Sequence, residues 1–192
     1  MSKKLFARLI LALGVAELVL VLLSWVLSVL TTMEVHSLLS SEGVRWFFGS
    51  FTDFQATQYL VWLLLSAMAG GCFWKSRMLT KPQDYRDLVA LRAALAFLIV
   101  YICIMAALTL APHAILLSAK GYLFPSPFSR ALVPVLAFGI LLVSVVYGWI
   151  SGRFSSVLAV IDSMSYGIGK AAPLFLLYVM LIQLYESVKF VF

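Results

Sequence analysis

One carboxylate occupies a position where a charge is costly. Glu17 interrupts the otherwise apolar stretch Leu9–Leu30 about three turns in, and no Lys or Arg falls within one helical turn of it. A charge at membrane depth must be compensated, so we expect Glu17 to be protonated, to face a water-filled cleft or to pair with another helix. It could carry a coupling proton or make a hydrogen-bonded packing contact, within the chain or across an oligomer interface. We favour the packing contact.

Three further polar residues recur every third position near the C-terminus, namely Gln183, Glu186 and Lys189. Glu186 and Lys189 are spaced to pair at i, i+3 and lie close enough to a helix end to reach the membrane boundary. Gln183 lies deeper and cannot change its charge. We expect it to hydrogen-bond a neighbouring helix or a ligand, and we expect the Glu186–Lys189 pair to anchor the helix.

The chain contains no recognisable pattern for catalysis or for binding a metal or cofactor. Its two histidines, His36 and His113, show no HExxH spacing, and neither a P-loop nor a nucleophile elbow occurs. Asp84 and Asp87, beside Arg86, are interpreted as a solvated charge cluster. The sequence therefore predicts no enzyme activity, no metal site and no cofactor.

Composition assigns the chain to the membrane. Hydrophobic residues make up 64% of its 192 residues and charged residues only 11%, with a mean hydropathy of +1.06. Soluble domains have about 45–50% apolar and about 25% charged residues, and a soluble fold of this size could not bury so much apolar surface. Two cysteines, Cys72 and Cys103, lie inside apolar stretches and are expected to be small buried hydrophobes.

Five stretches are long enough to cross a bilayer as helices, at about 9–30, 57–74, 88–111, 131–150 and 171–192. The first is too long for the apolar part of a signal peptide and lacks a cleavage site, so we expect it to be retained. Pro134 and Pro173 fall in the first turn of the fourth and fifth predicted helices, where a missing N–H is tolerated.

The net charge is +6. Because the basic residues lie at the ends of apolar stretches, as membrane topology requires, we do not interpret this charge as a sign of nucleic-acid binding. With the N-terminus inside, five crossings place the C-terminus outside, and basic residues divide ten to four in favour of the inner side. The inner ones are Lys3, Lys4, Arg8, Lys75, Arg77, Lys81, Arg86, Arg92, Arg153 and Lys170, and the outer ones are Arg45, Lys120, Arg130 and Lys189.

Two connecting segments, about 40–54 and 154–166, carry apolar residues at helical spacing. The first follows a helix-start signal at Ser40 and Ser41. Both are predicted to be amphipathic helices that lie in the membrane interface. Gly167 and Gly169 after the second are expected to allow a turn back into the membrane.

Small residues four positions apart indicate faces where helices approach closely. The pairs are Ala67 with Gly71, Ser66 with Gly70, and Gly148 with Gly152. They predict packing either within the chain or between copies of it.

Several stretches, taken together and in order, resemble the AbgT family, the p-aminobenzoyl-glutamate transporters. SLLSSEGVRWFFGSFTDF is similar to the family's loop after its first helix, and SWVLSVL to the end of that helix. Ser-Pro-Phe, Val-Pro and Tyr-Gly-x-x-Ser-Gly motifs follow, and Gln183 matches a family glutamine. The stretches are Ser37–Phe54, Ser24–Leu30, Pro125–Phe138, Val145–Phe154 and Ala171–Leu184.

The resemblance implies a shortened, all-α integral membrane protein in a bacterial inner (cytoplasmic) membrane. Family members are more than twice as long, and their re-entrant hairpins, where substrate and protons are expected, have no counterpart in this chain. The resemblance thus implies a scaffold or accessory subunit that packs against lipid, copies of itself or another membrane protein. The alternative is a minimal oligomeric proton-coupled transporter of aminobenzoyl-glutamate or similar organic anions, with Glu17 or Glu186 as the proton carboxylate.

Overall fold

The computed structural model describes residues 3–30, 35–82, 84–110 and 127–192. Six helices and no strand occur in those residues, so the predicted all-α class is confirmed. The helices are α1 (Lys3–Leu30), α2 (Ser41–Gln55), α3 (Gln58–Ser76), α4 (Tyr85–Leu110), α5 (Pro127–Ile150) and α6 (Val157–Val191). His113 and Lys120 lie outside the described part of the chain.

Four helices, α1, α4, α5 and α6, are long and apolar enough to cross a membrane. A fifth crossing results if α2 and α3, separated by a break at Ala56 and Thr57, count as one broken span. This set of apolar helices is that of a multi-pass membrane protein. The direction of each crossing and the interfacial position of α2 stay predictions.

The predicted break near the C-terminus is wrong. Residues 154–166 and 171–192 do not form two elements, because α6 is one continuous helix of 35 residues through Gly167, Gly169 and Pro173. At about 1.5 Å per residue it is about 52 Å long, well beyond the roughly 30 Å hydrocarbon core. Pro134 is also inside a helix and not in its first turn, since α5 begins at Pro127.

Helix α2 begins where the sequence indicates. The Ser40 hydroxyl accepts a hydrogen bond from the Gly43 backbone N–H at 3.0 Å, which caps one of the unpaired amides of the first turn. Gly43 is required there, since a Cβ would come within 2.7 Å of the Leu38 backbone.

The described residues divide into two compact units. Unit 1 comprises Met1–Leu60 and Ala172–Phe192 and so contains α1, α2 and the C-terminal half of α6. The Trp46 ring stacks on Phe190 with centroids 4.3 Å apart, and Gln55 Nε2 donates to the Val179 carbonyl at 3.3 Å. The Leu38 N–H donates to the buried Ser24 hydroxyl of α1 at 3.1 Å. These contacts hold both α1 and the C-terminal half of α6 against the α2 region.

Unit 2 comprises Val61–Ala171 and contains most of α3, all of α4 and α5, and the first half of α6. Its α4–α5 core consists of Ala90, Ala94, Val143 and Tyr147. A second buried cluster combines Cys72, Phe154 and Val160. Small side chains on α4 allow the large Tyr147 ring of α5 to be fully buried against that helix.

Candidate functional site

In unit 1, Glu17 contacts another helix through a short hydrogen-bonded series. The Ser187 hydroxyl donates to Glu17 Oε1 at 2.6 Å, and Gln183 Nε2 donates to Ser187 Oγ at 3.3 Å. Gln183 and Ser187 are four residues apart and therefore share one face of α6. Ser187 is fully buried and Gln183 is 6% exposed. We call these three residues the carboxyl cluster.

Two oxygen atoms of the carboxyl cluster lack a partner. Glu17 Oε2 and Gln183 Oε1 are both buried, and no described group hydrogen-bonds to either. A buried acceptor without a donor is unfavourable and uncommon in folded proteins. The cluster can therefore accept further donor hydrogens.

Glu186 and Lys189 form the predicted pair, with Lys189 Nζ 3.5 Å from Glu186 Oε2. The Lys189 side chain is 68% exposed, so this pair adds little to stability in a polar environment. Glu186 makes no hydrogen bond to the carboxyl cluster within the described residues. Sequence reasoning named Glu17 and Gln183 separately but missed Ser187, although its four-residue offset from Gln183 was a usable signal.

Small residues bring α3 and α6 together in unit 2. A Cβ added to Gly71 would come within 2.7 Å of the Gly167 backbone and even closer to the Ser163 carbonyl oxygen. A Cβ on Gly167 would in turn clash with the Ala67 carbonyl oxygen. The Ala67–Gly71 face is thus used within the chain, and Gly167 provides the close approach instead of a turn.

The other predicted packing pair lies around the end of α5. A Cβ on Gly148 would come within 2.9 Å of the Phe154 ring. Gly152 lies just beyond α5 with a left-handed φ of +78°, next to the Arg86 guanidinium. Gly148 therefore leaves room for the Phe154 ring and Gly152 permits the turn after α5, while a packing face at this pair stays a prediction.

Two arginines cap helix C-termini at one end of unit 2. Arg153 Nη1 donates to the carbonyls of Ser76 at 2.6 Å and Arg77 at 3.0 Å, at the end of α3, and Arg86 Nε donates to the Ile150 carbonyl of α5 at 2.8 Å. Cations are favourable at helix C-termini because they satisfy unpaired carbonyls and oppose the negative end of the helix dipole. Arg77 itself has a left-handed φ of 53°, which is uncommon for a residue other than glycine.

The solvated interpretation of the aspartate cluster is wrong for Asp87. Its Oδ2 pairs with Arg153 Nη2 at 3.1 Å, and the residue is only 8% exposed. Asp84 is exposed, as expected. The sequence contains no local signal for a pair 66 residues apart, so the Asp87–Arg153 contact could not have been predicted from spacing.

Beside this end lies a cavity of about 610 Å³ in unit 2 that combines aromatic and basic side chains. We call it the basic pocket. Lys75 Nζ lies 4.7 Å from the centroid of the Tyr166 ring, and Lys170 Nζ lies 5.3 Å from the same centroid. Lys170 is also 5.5 Å from the Trp74 ring. The lining of the basic pocket consists of Phe73, Trp74, Lys75, Arg77, Leu79, Thr80 and Tyr166.

Within the described ranges, the cysteines and His36 form no further site. The Cys72 thiol is buried, but Cys103 is exposed on the surface of α4, contrary to the expectation that both are buried. The His36 ring contacts Phe190 at 5.7 Å between centroids. Among the described residues, no group of three His, Cys, Asp or Glu side chains could hold a metal ion.

Comparison with protein-family models, with curated proteins and with solved structures finds no match to this chain. The resemblance to the AbgT family therefore depends on the short motifs of the sequence itself.

Proposed function

We propose that the chain is an AbgT-like polytopic membrane protein that acts as a non-enzymatic scaffold or accessory subunit of a membrane complex with a transport-related role. The observation that carries this proposal is that polar and small residues within the apolar helices make contacts between helices. Glu17 bonds to Ser187, and Gly71 packs on Gly167. These residues connect helices of the same chain, as expected for a scaffold.

The apolar surface of α1 also supports a partner. Leu11, Leu18 and Val29 are 69%, 66% and 71% exposed, and Ser24 is the only buried residue among the described side chains of this helix. A surface of this kind is covered by lipid or by another membrane helix. We propose a second copy or another integral membrane protein as the cover, in a bacterial inner membrane with the N-terminus inside.

The test is the mass of the complex extracted in mild detergent from the membrane in which the chain occurs. Under the proposal, native mass spectrometry finds the chain in a complex of fixed stoichiometry with a second polypeptide or further copies of itself. A predominantly monomeric chain that is stable and soluble in the same detergent would contradict a scaffold role.

A second candidate is the minimal oligomeric proton-coupled transporter, favoured by the unpartnered Glu17 Oε2 and Gln183 Oε1. A buried carboxyl with a free oxygen can gain and lose a proton at membrane depth. The assay is uptake of aminobenzoyl-glutamate into liposomes that contain only this chain, driven by a proton gradient. Uptake that Glu17→Gln abolishes and Glu186→Gln leaves intact would establish the transporter and refute the accessory role.

A further inference from the structure

The residues that line the basic pocket include two cations, Lys75 and Arg77, and no carboxylate. Within the described residues Lys75, Arg77 and Lys170 form no ion pair. The neighbouring Arg153 and Arg86 differ, because their guanidinium groups are engaged by helix C-termini. The pocket cations are therefore available to an anion.

Two of these cations, Lys75 of the lining and Lys170 beside it, lie over one aromatic ring, that of Tyr166. Because Lys75 Nζ and Lys170 Nζ lie 4.7 Å and 5.3 Å from the Tyr166 centroid, they are at most about 10 Å apart, the sum of the two distances. Cation–π contacts hold both ammonium groups over the ring. Lys170 and Tyr166 are one turn apart on α6, whereas Lys75 belongs to α3, so it is the fold that brings Lys75 to the same ring.

A strip of α3 that leads away from the pocket is suited to an acyl chain. Ser66, Gly70 and Trp74 are spaced by four residues and therefore lie along one face of the helix, and all three are exposed. A Cβ added to Gly70 would meet no heavy atom within 4 Å. Trp74, at the pocket end of this strip, is 68% exposed, and tryptophan is enriched where apolar helices meet the lipid headgroups.

We propose that the basic pocket binds the phosphate of an anionic phospholipid, with an acyl chain along the Ser66–Gly70 strip. Lys75 and Arg77 of the lining, with Lys170 beside it over Trp74 and Tyr166, compensate the phosphate charge, in the way that basic pockets between membrane helices hold anionic headgroups. Lysines on the inner side are attracted to an anionic membrane wherever they lie. A specific lipid site differs in two ways: both lysines contact Tyr166, and an open strip of α3 lies beside them.

The test is native mass spectrometry of the full chain, delipidated in detergent and titrated with phosphatidylglycerol or phosphatidylcholine. We expect a clear preference for phosphatidylglycerol, which Lys75→Gln with Lys170→Gln weakens about thirtyfold, since two lysines near the headgroup are removed. The matched control, Lys81→Gln with Arg92→Gln, removes the same charge from exposed positions outside the pocket and should leave the affinity unchanged. Equal loss in both double variants, or no loss in the first, would overturn the proposal.

A second arm separates lipid from free phosphate. Gly70→Leu fills the strip without changing charge and should weaken phosphatidylglycerol binding severalfold. Inorganic phosphate should displace the lipid only weakly. Binding of inorganic phosphate as tight as that of the lipid, with Gly70→Leu without effect on either, would overturn the assignment to a phospholipid.

Discussion

Replacing Gly71 by alanine tests the close contact between α3 and α6. The added Cβ would lie 2.7 Å from both Cα and N of Gly167, about 0.7 Å short of the 3.4 Å at which ordinary contact begins, and still closer to the Ser163 carbonyl oxygen. The opposing atoms belong to the backbone and cannot rotate away, so the two helices must separate. Overpacking of this kind costs about 1–3 kcal/mol.

The adjacent residue supplies the control. Gly70 is also in α3, but a Cβ there would meet nothing within 4 Å. Both substitutions replace a helical glycine and so share the same gain in helix propensity, up to about 1 kcal/mol in water. This gain cancels when the two variants are compared, and we expect Gly71→Ala to be about 1–3 kcal/mol less stable than Gly70→Ala.

The assay is reversible unfolding of the two variants and the parent chain in the same mixed micelles. Gly167→Ala, on the opposite side of the contact, should resemble Gly71→Ala, because its Cβ would clash with the Ala67 carbonyl oxygen. If Gly71→Ala proves as stable as Gly70→Ala, then α3 and α6 do not meet through these glycines and the packing described for unit 2 is wrong.

Three further predictions concern the ion pair, the carboxyl cluster and the topology. Arg153→Gln removes the cap of α3 and the ion pair with Asp87. Because the Arg153 and Asp87 side chains are only 24% and 11% exposed, the free energy of unfolding should fall by about 2 kcal/mol. When Asp87→Asn is combined with it, the two losses should sum to less than the single variants predict; a fully additive double variant would argue against the pair. Ser187→Ala leaves Glu17 Oε1 without its donor and should cost about 1–3 kcal/mol, whereas an unchanged unfolding transition would exclude a buried contact. With the N-terminus inside and five crossings, a phosphatase fused after Phe192 should be active and a fluorescent protein fused there dark; the opposite pattern would reverse the predicted orientation.

Local patterns predicted local structure well. The Ser40 cap of α2 depends on residues within three positions of one another, as does the Glu186–Lys189 pair, and both are observed. The apolar stretches correspond to long helices because each backbone amide in lipid must be bonded within its own segment. Helix ends were less accurate, since α1 already begins at Lys3.

Glycine was the main source of error. Absence of a Cβ permits a left-handed turn, as at Gly152, and equally permits two helices to touch, as at Gly167. The sequence cannot distinguish these uses, because the distinction depends on what lies opposite. With α3 packed on it, Gly167 stays helical and α6 continues without a break.

The sequence by itself determined that this is an all-helical membrane protein with a costly carboxylate at Glu17, because composition and residue spacing are properties of the chain alone. Only the tertiary structure decided which groups meet that carboxylate, that Asp87 is buried against Arg153, and that Lys75 and Lys170 converge on Tyr166. Apart from Lys170 and Tyr166, which are one turn apart on α6, these contacts join residues from distant parts of the chain, and helix packing brings them together.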